Sequence, residues 1–310
     1  MVAHRVNEFG VAFDVVTVEV CNLCRSPLEG ARSIKVDSCW GPSSTFEIVQ
    51  CAKCELGHTQ PRPTSESIGL LYESKGDEVA KLSSLDFDPD TSRLFTRLKD
   101  YVALRELRSR IGQSRVTLAL DYGAGNGRFA NQIRLLTNAE VTAVDYQVER
   151  PSSLRPEIGY VTVDEFLDTD ELYDVIFLRH VLEHTSDPVE LLKNLAVRLT
   201  EGGRIFIEVP NLDSTTGRIV GRNWVGRYAP KHIHHFTRQA LTLAVREAGL
   251  HGVVEKAEMP LMGNQLARSL GARDYTLPFK LAGVLLHPIQ LLLEIAGRTS
   301  TVLRVTATRS

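Results

Sequence analysis

The chain has 310 residues, a formal net charge of -2, and 43% hydrophobic against 24% charged residues. That length holds a full hydrophobic core and a small accessory domain besides. The near-neutral balance excludes a general basic field for nucleic acid, and Arg5 with Glu8, lacking any uninterrupted apolar core, argues against a signal peptide.

Val11 to Val20 is rich in β-branched residues and leads into Cys21-Asn-Leu-Cys24; Phe46 to Val49 leads likewise into Cys51-Ala-Lys-Cys54. Two hairpins, each ending in a C-x-x-C knuckle, predict four thiolates placed tetrahedrally around one structural zinc. Four sulfur ligands leave no open position for catalysis. The paired spacing points to metal in a reducing, cytoplasmic setting rather than to disulfides. Cys39 is the odd thiol, and His58 is not needed as a ligand. A hairpin insertion over Gly30 to Ser44 would absorb the long gap between the pairs, which places a zinc ribbon in residues 1–60.

Residues 61–114 read as a helical linker. Thr59-Gln-Pro-Arg-Pro-Thr-Ser65 favours extended backbone, and helices are predicted over Ser65 to Glu73 and Thr91 to Ile111. From residue 115 the pattern is that of an α/β sheet. Val116 to Leu120 is a buried strand that ends in Asp121, and an alternating glycine turn of Gly123, Gly125 and Gly127 opens a helix. A dinucleotide fingerprint needs G-x-G-x-x-G, and Arg128 occupies its third glycine position, which disfavours a nicotinamide oxidoreductase. An acid before the turn would repel a pyrophosphate and suits an ammonium group, such as that of S-adenosylmethionine. Val141 to Asp145 is the second strand, and its terminal acid is placed to read ribose hydroxyls.

Asp121-x-Gly123-x-Gly125-x-Gly127 with Asp145 resembles the first two motifs of class I S-adenosylmethionine-dependent methyltransferases. The resemblance implies a Rossmann-like, seven-stranded sheet over 115–310. Paired cysteines, Pro-Arg-Pro-Thr and a short helix carrying Tyr72 resemble a bacterial subgroup of that family with an N-terminal zinc ribbon. Asp121 and the three glycines would then hold the methionine end of the cofactor. Gly159 to Asp164 is expected as a third strand, with Asp164 reading the adenine and Tyr146 stacking on it; Arg179 would contact either ligand.

Tyr173 to Leu178 is the fourth strand and runs into Arg179-His-Val-Leu-Glu-His184. Asp187, Pro188 and Glu190 predict a capped helix start, with Gly202-Gly203 as its end, and Arg204 to Pro210 is the fifth strand. This block resembles the acceptor-side segment of ubiquinone-type methyltransferases. After a loop holding Trp224, Thr237 is expected to cap a helix, Gly252 to Ala257 to form the sixth strand, and Ser300 to Thr308 the last. Residues 260–298 are an insertion. Its apolar stretch 281–296, broken by His287, Pro288 and Glu294, reads as a helix over the cleft or at a dimer face, with a peripheral membrane contact as the alternative.

If the acceptor is a hydroxyl or an acidic carbon, a base must take its proton, and histidine suits neutral pH. His184 is the first candidate, His232 the second and His180 the third. Glu183, His184 and His234 form an alternative divalent-metal set that would orient an acceptor's hydroxyls. This follows a loose resemblance to metal-dependent 2′-O-methyltransferases of small RNA, which carry glutamate where this chain has His180. The reading is a methyltransferase acting on oxygen, or on carbon, of a small metabolite or sugar. A macromolecular substrate docked by the ribbon and a non-catalytic cofactor-binding module are its rivals; the oligomeric state is left open.

Overall fold

A computed structural model describes residues 2–6, 12–38, 41–64, 66–73, 108, 111, 115–257 and 277–309. Cys39, Ser65, residues 260–276 of the insertion, and all of the 91–111 helix except Arg108 and Ile111 lie outside them.

Seven strands form the main sheet in the order β13-β14-β11-β10-β7-β8-β9. These are β7 (Leu118–Tyr122), β8 (Glu140–Asp145), β9 (Gly159–Thr162), β10 (Tyr173–Arg179), β11 (Leu199–Pro210), β13 (Leu250–Ala257) and β14 (Val302–Arg309). β7 pairs in parallel with both β8 and β10, whereas β14 runs antiparallel to β11 and β13. The chain winds outward from β7 through β8 to β9, then returns to β10 on the other side. That reversal opens a crevice at the carboxyl ends of β7 and β10, where doubly wound sheets bind ligands.

Helices follow the strands. Helix α1 (Leu70–Glu73) precedes the sheet, and α2 (Arg128–Thr137) leaves the glycine turn with Gly127 as a left-handed N-cap. Helix α3 (Val163–Leu167) corrects the expected third strand. Thr162 and Glu165 form a reciprocal capping box, so the strand stops at Thr162 and Asp164 lies in a helical first turn. Asp187 caps α4 (Pro188–Ala196) by accepting from Val189 and Glu190 backbone N–H groups. That helix ends without glycine, and Gly202 and Gly203 lie inside β11, in an excursion between its pairings at Tyr173 and Val175. Ser214 caps α5 (Thr215–Val220), and Thr237 caps α6 (Arg238–Glu247).

Helix α7 (Leu277–Ala296) has an unusual polarity. Gln290 and Glu294 are buried, while Leu281, Leu285, Ile289, Leu292 and Ile295 are exposed. Glu294 is fixed by Ser214 Oγ at 2.8 Å, the Thr216 amide at 2.6 Å and Thr299 Oγ1. Among the described residues no helix is long and apolar enough to cross a membrane.

The N-terminal segment builds two more sheets. β1 (Val2–Val6), β2 (Ala12–Val16) and β6 (Arg62–Pro63) form one; β3 (Arg32–Ser38), β4 (Gly41–Gln50), β5 (Gly57–Gln60) and β12 (His234–His235) form the other. The second sheet therefore joins the ribbon to the segment before α6. Cys21, Leu23, Leu28, Cys51, Cys54 and Leu56 pack in the same apolar cluster as Leu182, Leu192, Phe236 and Ala240. One core thus holds both the ribbon and one face of the main sheet.

Candidate active site and zinc ribbon

The two knuckles repeat one backbone design. The Arg25 amide donates to the Cys21 carbonyl at 3.0 Å and the Glu55 amide to that of Cys51 at 2.9 Å. Arg25 and Glu55 both take positive φ, 59° and 64°, to close these turns without glycine. The four sulfurs lie within 4.8 Å of one another, with Cys21–Cys54 at 3.4 Å and Cys24–Cys51 at 3.5 Å. Tetrahedral zinc with Zn–S bonds of about 2.3 Å would space them at about 3.8 Å, so the set fits the ion. The hydrogen bond shared with Cys54 pulls the Cys21 thiol far down, against burial and with help from His58. His58 Nε2 stands 3.4 Å from Cys21 Sγ, outside the ligand set and beside it.

The crevice at the end of β7 is built around glycines that need their conformation. Gly123 has φ +77°, and a Cβ there would meet Val181 Cγ2 at 2.5 Å. Gly127 has φ +76°, and its Cβ would meet Leu154 at 2.7 Å. Gly125 instead faces open space, and its N–H donates to Asp145 Oδ2 at 2.7 Å. Asp145 also accepts from the Gln147 amide at 3.2 Å, so the acid expected to read the ribose also holds the glycine turn. Asp121 is buried, and its Oδ2 has no hydrogen-bond partner. Burial raises its carboxyl to about 7, against the pull of Arg179. An orphaned buried carboxylate oxygen at the carboxyl end of β7 is the feature a ligand ammonium would satisfy. Tyr146 is 72% exposed beside Asp145, and Asp164, also exposed, acts electrostatically on it.

Val181, against Gly123, begins the loop that carries the expected acceptor side. His180 precedes it in the left-handed region, with φ 56°. Its Nδ1 lies 3.0 Å from Glu183 Oε1 and its Nε2 3.3 Å from Glu208 Oε1. Burial opposes a charged ring, but these two carboxylates outweigh it and raise His180 to about 9. Arg179 and Arg304 also pair with Glu208, and Arg179 lies over the Phe129 ring at 4.3 Å. Glu208, at the centre of this network, lies in the apolar run of β11, where sequence reading passed over it.

His184 and His232 stand together, with ring centroids 4.6 Å apart. His184 Nδ1 is 2.9 Å from the Lys231 carbonyl, and His232 Nδ1 is 3.1 Å from the Gly226 carbonyl. A carbonyl only accepts, so both Nδ1 atoms carry the proton and each neutral ring presents its lone pair at Nε2. Burial lowers both histidines, His232 well below the usual value. His232 Nε2 lies 3.9 Å from Glu183 Oε1.

Among the described residues, the grouping that could hold a second ion is Glu183, His184 and His232, whose ligand atoms all lie within 4.8 Å. This corrects the expected set at His234. His234 faces the ribbon: its ring packs on His58 at 5.3 Å, and its Nε2 is 3.4 Å from an Arg62 nitrogen. Glu183 Oε2 is buried with no hydrogen-bond partner, which fits a cation at this set.

Residues 93–255 match a family model described as a methyltransferase domain. A ubiquinone biosynthesis O-methyltransferase of Xanthomonas euvesicatoria is 28% identical over 200 residues, covering 58% of this chain and 81% of that protein. The enzyme of the same description from Xanthomonas oryzae is 25% identical over 189 residues, covering 56% and 77%. Among solved structures, the [4+2]-cyclase SpnF aligns with a TM-score of 0.52 at 15% identity, over 80% of this chain and 98% of that one.

Proposed function

We propose that this chain, which belongs to the methyltransferase-domain family and is an S-adenosylmethionine-dependent methyltransferase, methylates an oxygen of a small molecule. The observation that carries the finer reading is the pair His184 and His232. Each is held neutral, with Nδ1 on a backbone carbonyl and Nε2 fit to accept a proton.

When bound, S-adenosylmethionine would supply an activated methyl group for the acceptor oxygen, its sulfur keeping the bonding electron pair. The chain aligns the partners and removes the acceptor's hydroxyl proton. Asp121 would receive the ammonium of the methionine end, the turn from Gly123 to Gly127 would let backbone approach it, and Asp145 would meet the ribose. Tyr146 offers an adenine platform, with Asp164 beside it. His184 Nε2 takes the acceptor proton, with His232 as second candidate. Arg179 spans the network between Asp121 and Glu208 and would contact either ligand. His180, held between two carboxylates and raised to about 9, carries charge rather than accepting a proton at pH 7. The curated relatives described as O-methyltransferases support oxygen as the acceptor.

The orphaned Glu183 oxygen favours a second reading, in which Glu183, His184 and His232 bind a divalent cation that orients an acceptor's hydroxyls. A fold of this kind hosts more than one reaction, so transfer must be measured directly. Purified zinc-loaded protein is incubated with methyl-deuterated S-adenosylmethionine and a panel of phenols, catechols and sugars, with and without added Mg²⁺ or Mn²⁺. Labelled methyl ether in the product supports oxygen transfer, and stimulation by the ion supports the metal reading. Label on carbon or nitrogen, or cofactor binding with no transfer to any panel member, contradicts the small-molecule oxygen reading.

A further inference from the structure

The ribbon reaches the histidines through one buried strand. β5 pairs antiparallel with β12, setting His58 opposite His234 and Gly57 opposite His235. The Thr59 amide donates to the Ile233 carbonyl at 3.1 Å. Thr59 Oγ1 lies 2.6 Å from the His232 carbonyl and 2.8 Å from His235 Nε2. A hydroxyl has one proton. Because the carbonyl can only accept, that proton goes to His232, and Thr59 Oγ1 accepts from His235 Nε2–H. One ribbon hydroxyl therefore fixes the backbone of His232 and the tautomer of His235. His58 adds a second link, from Cys21 Sγ on one side to the His234 ring on the other. Thr59, His58 and His234 are fully buried.

The knuckles also grip the elements that flank this loop. Asn22 Nδ2 donates to the Ser186 carbonyl at 3.1 Å, just before α4, and Gln239 Nε2 donates to the Lys53 carbonyl at 3.0 Å from the first turn of α6.

We propose that Thr59 and His58 are positioning residues of the acceptor side, and that the zinc ribbon is a strut of the active site rather than a detachable docking module. The proposal rests on the acceptor-side reading of His184 and His232. It assigns the ribbon control over the His232–His235 segment, while the cofactor crevice keeps its own partners.

The test compares full-length zinc-loaded protein with Thr59→Val, which keeps shape and removes the hydroxyl, and Thr59→Ser, which restores it. Zinc content is read by elemental analysis, S-adenosylhomocysteine affinity by calorimetry, and the His232 and His235 ring nitrogens by NMR. Thr59→Val is expected to keep about one zinc per chain. Its S-adenosylhomocysteine affinity stays within about twofold, as for a site with separate partners. Its His235 signals leave the Nε2–H tautomer and those of His232 shift, and Thr59→Ser returns both. Native ring signals in Thr59→Val overturn the proposal. So does a change accompanied by loss of both zinc and cofactor affinity, since that reports general destabilisation. Failure of the wild-type chain to bind S-adenosylhomocysteine would instead sink the methyltransferase reading, and the ring comparison would still decide the strut.

Discussion

Thr59 and His232, 173 positions apart, are joined by a 2.6 Å hydrogen bond that ties the zinc-ribbon sheet to the loop beside His184. Removing residues 1–60 would leave the β12 edge unpaired and strip apolar cover from Leu182 and Phe236. The truncated chain is expected to lose cooperative unfolding, which a thermal melt followed by circular dichroism checks. A trimmed chain that melts cooperatively and still methylates a small acceptor would contradict a shared core.

Asp121 makes cofactor binding a proton-linked event. Its carboxyl stands near 7 when free, and a bound ammonium favours the ionised form. Binding S-adenosylhomocysteine at pH 7 should therefore release about half a proton per site. Affinity should rise with pH through 7 and fall about tenfold per unit well below it. Calorimetry in buffers of different ionisation enthalpy measures the proton count, and Asp121→Asn should abolish it.

The three loop histidines should separate kinetically. His184→Gln removes the proposed base and should lower kcat by about 10²–10⁴-fold with little change in S-adenosylhomocysteine affinity. His232→Gln should lower kcat less if His232 mainly supports His184. His180→Gln should disturb the Glu183 and Glu208 network without removing an acidic limb from the pH–rate profile. Equal rates for His184→Gln and wild type would remove His184 from the chemistry.

His180 also predicts a pH dependence of stability. Its folded value of about 9 lies above the ordinary 6.5. The stabilisation is therefore complete below about 6.5 and is lost as pH rises through about 9. The ring is 30% exposed, so screening leaves about 1–2 kcal/mol of the full linkage. Urea unfolding at pH 6 and pH 9.5 should show that difference in the wild type and a reduced one in His180→Gln.

Local signals account for much of what sequence reading placed well. Asp187 before Pro188, and Thr237 before α6, announce helix starts by the chemistry of their side chains. The turn from Asp121 to Gly127 is likewise a continuous pattern whose positive φ values demand glycine. Asp164 was misplaced although Thr162-x-x-Glu165 is itself a capping-box signal, because the apolar alternation before it reads as strand. Gly202-Gly203 resembles a helix stop, yet the pair lies inside β11, in the excursion between its pairings with Tyr173 and Val175 of β10. The choice between His232 and His234 was not legible. Spacing along the chain does not show that β5 pairs with β12 and turns His234 toward His58. Glu208 was hidden for a similar reason: its partners His180, Arg179 and Arg304 meet only across adjacent strands.

The most direct measurement is calorimetric titration of S-adenosylhomocysteine into the zinc-loaded chain, with NADH as comparison and Asp145→Ala as control. The account predicts micromolar binding of S-adenosylhomocysteine alone, weakened in Asp145→Ala by about 1–3 kcal/mol for the lost hydrogen-bond partner. No heat of binding in folded, zinc-loaded protein, or binding that Asp145→Ala leaves unchanged, would contradict the assignment of the crevice.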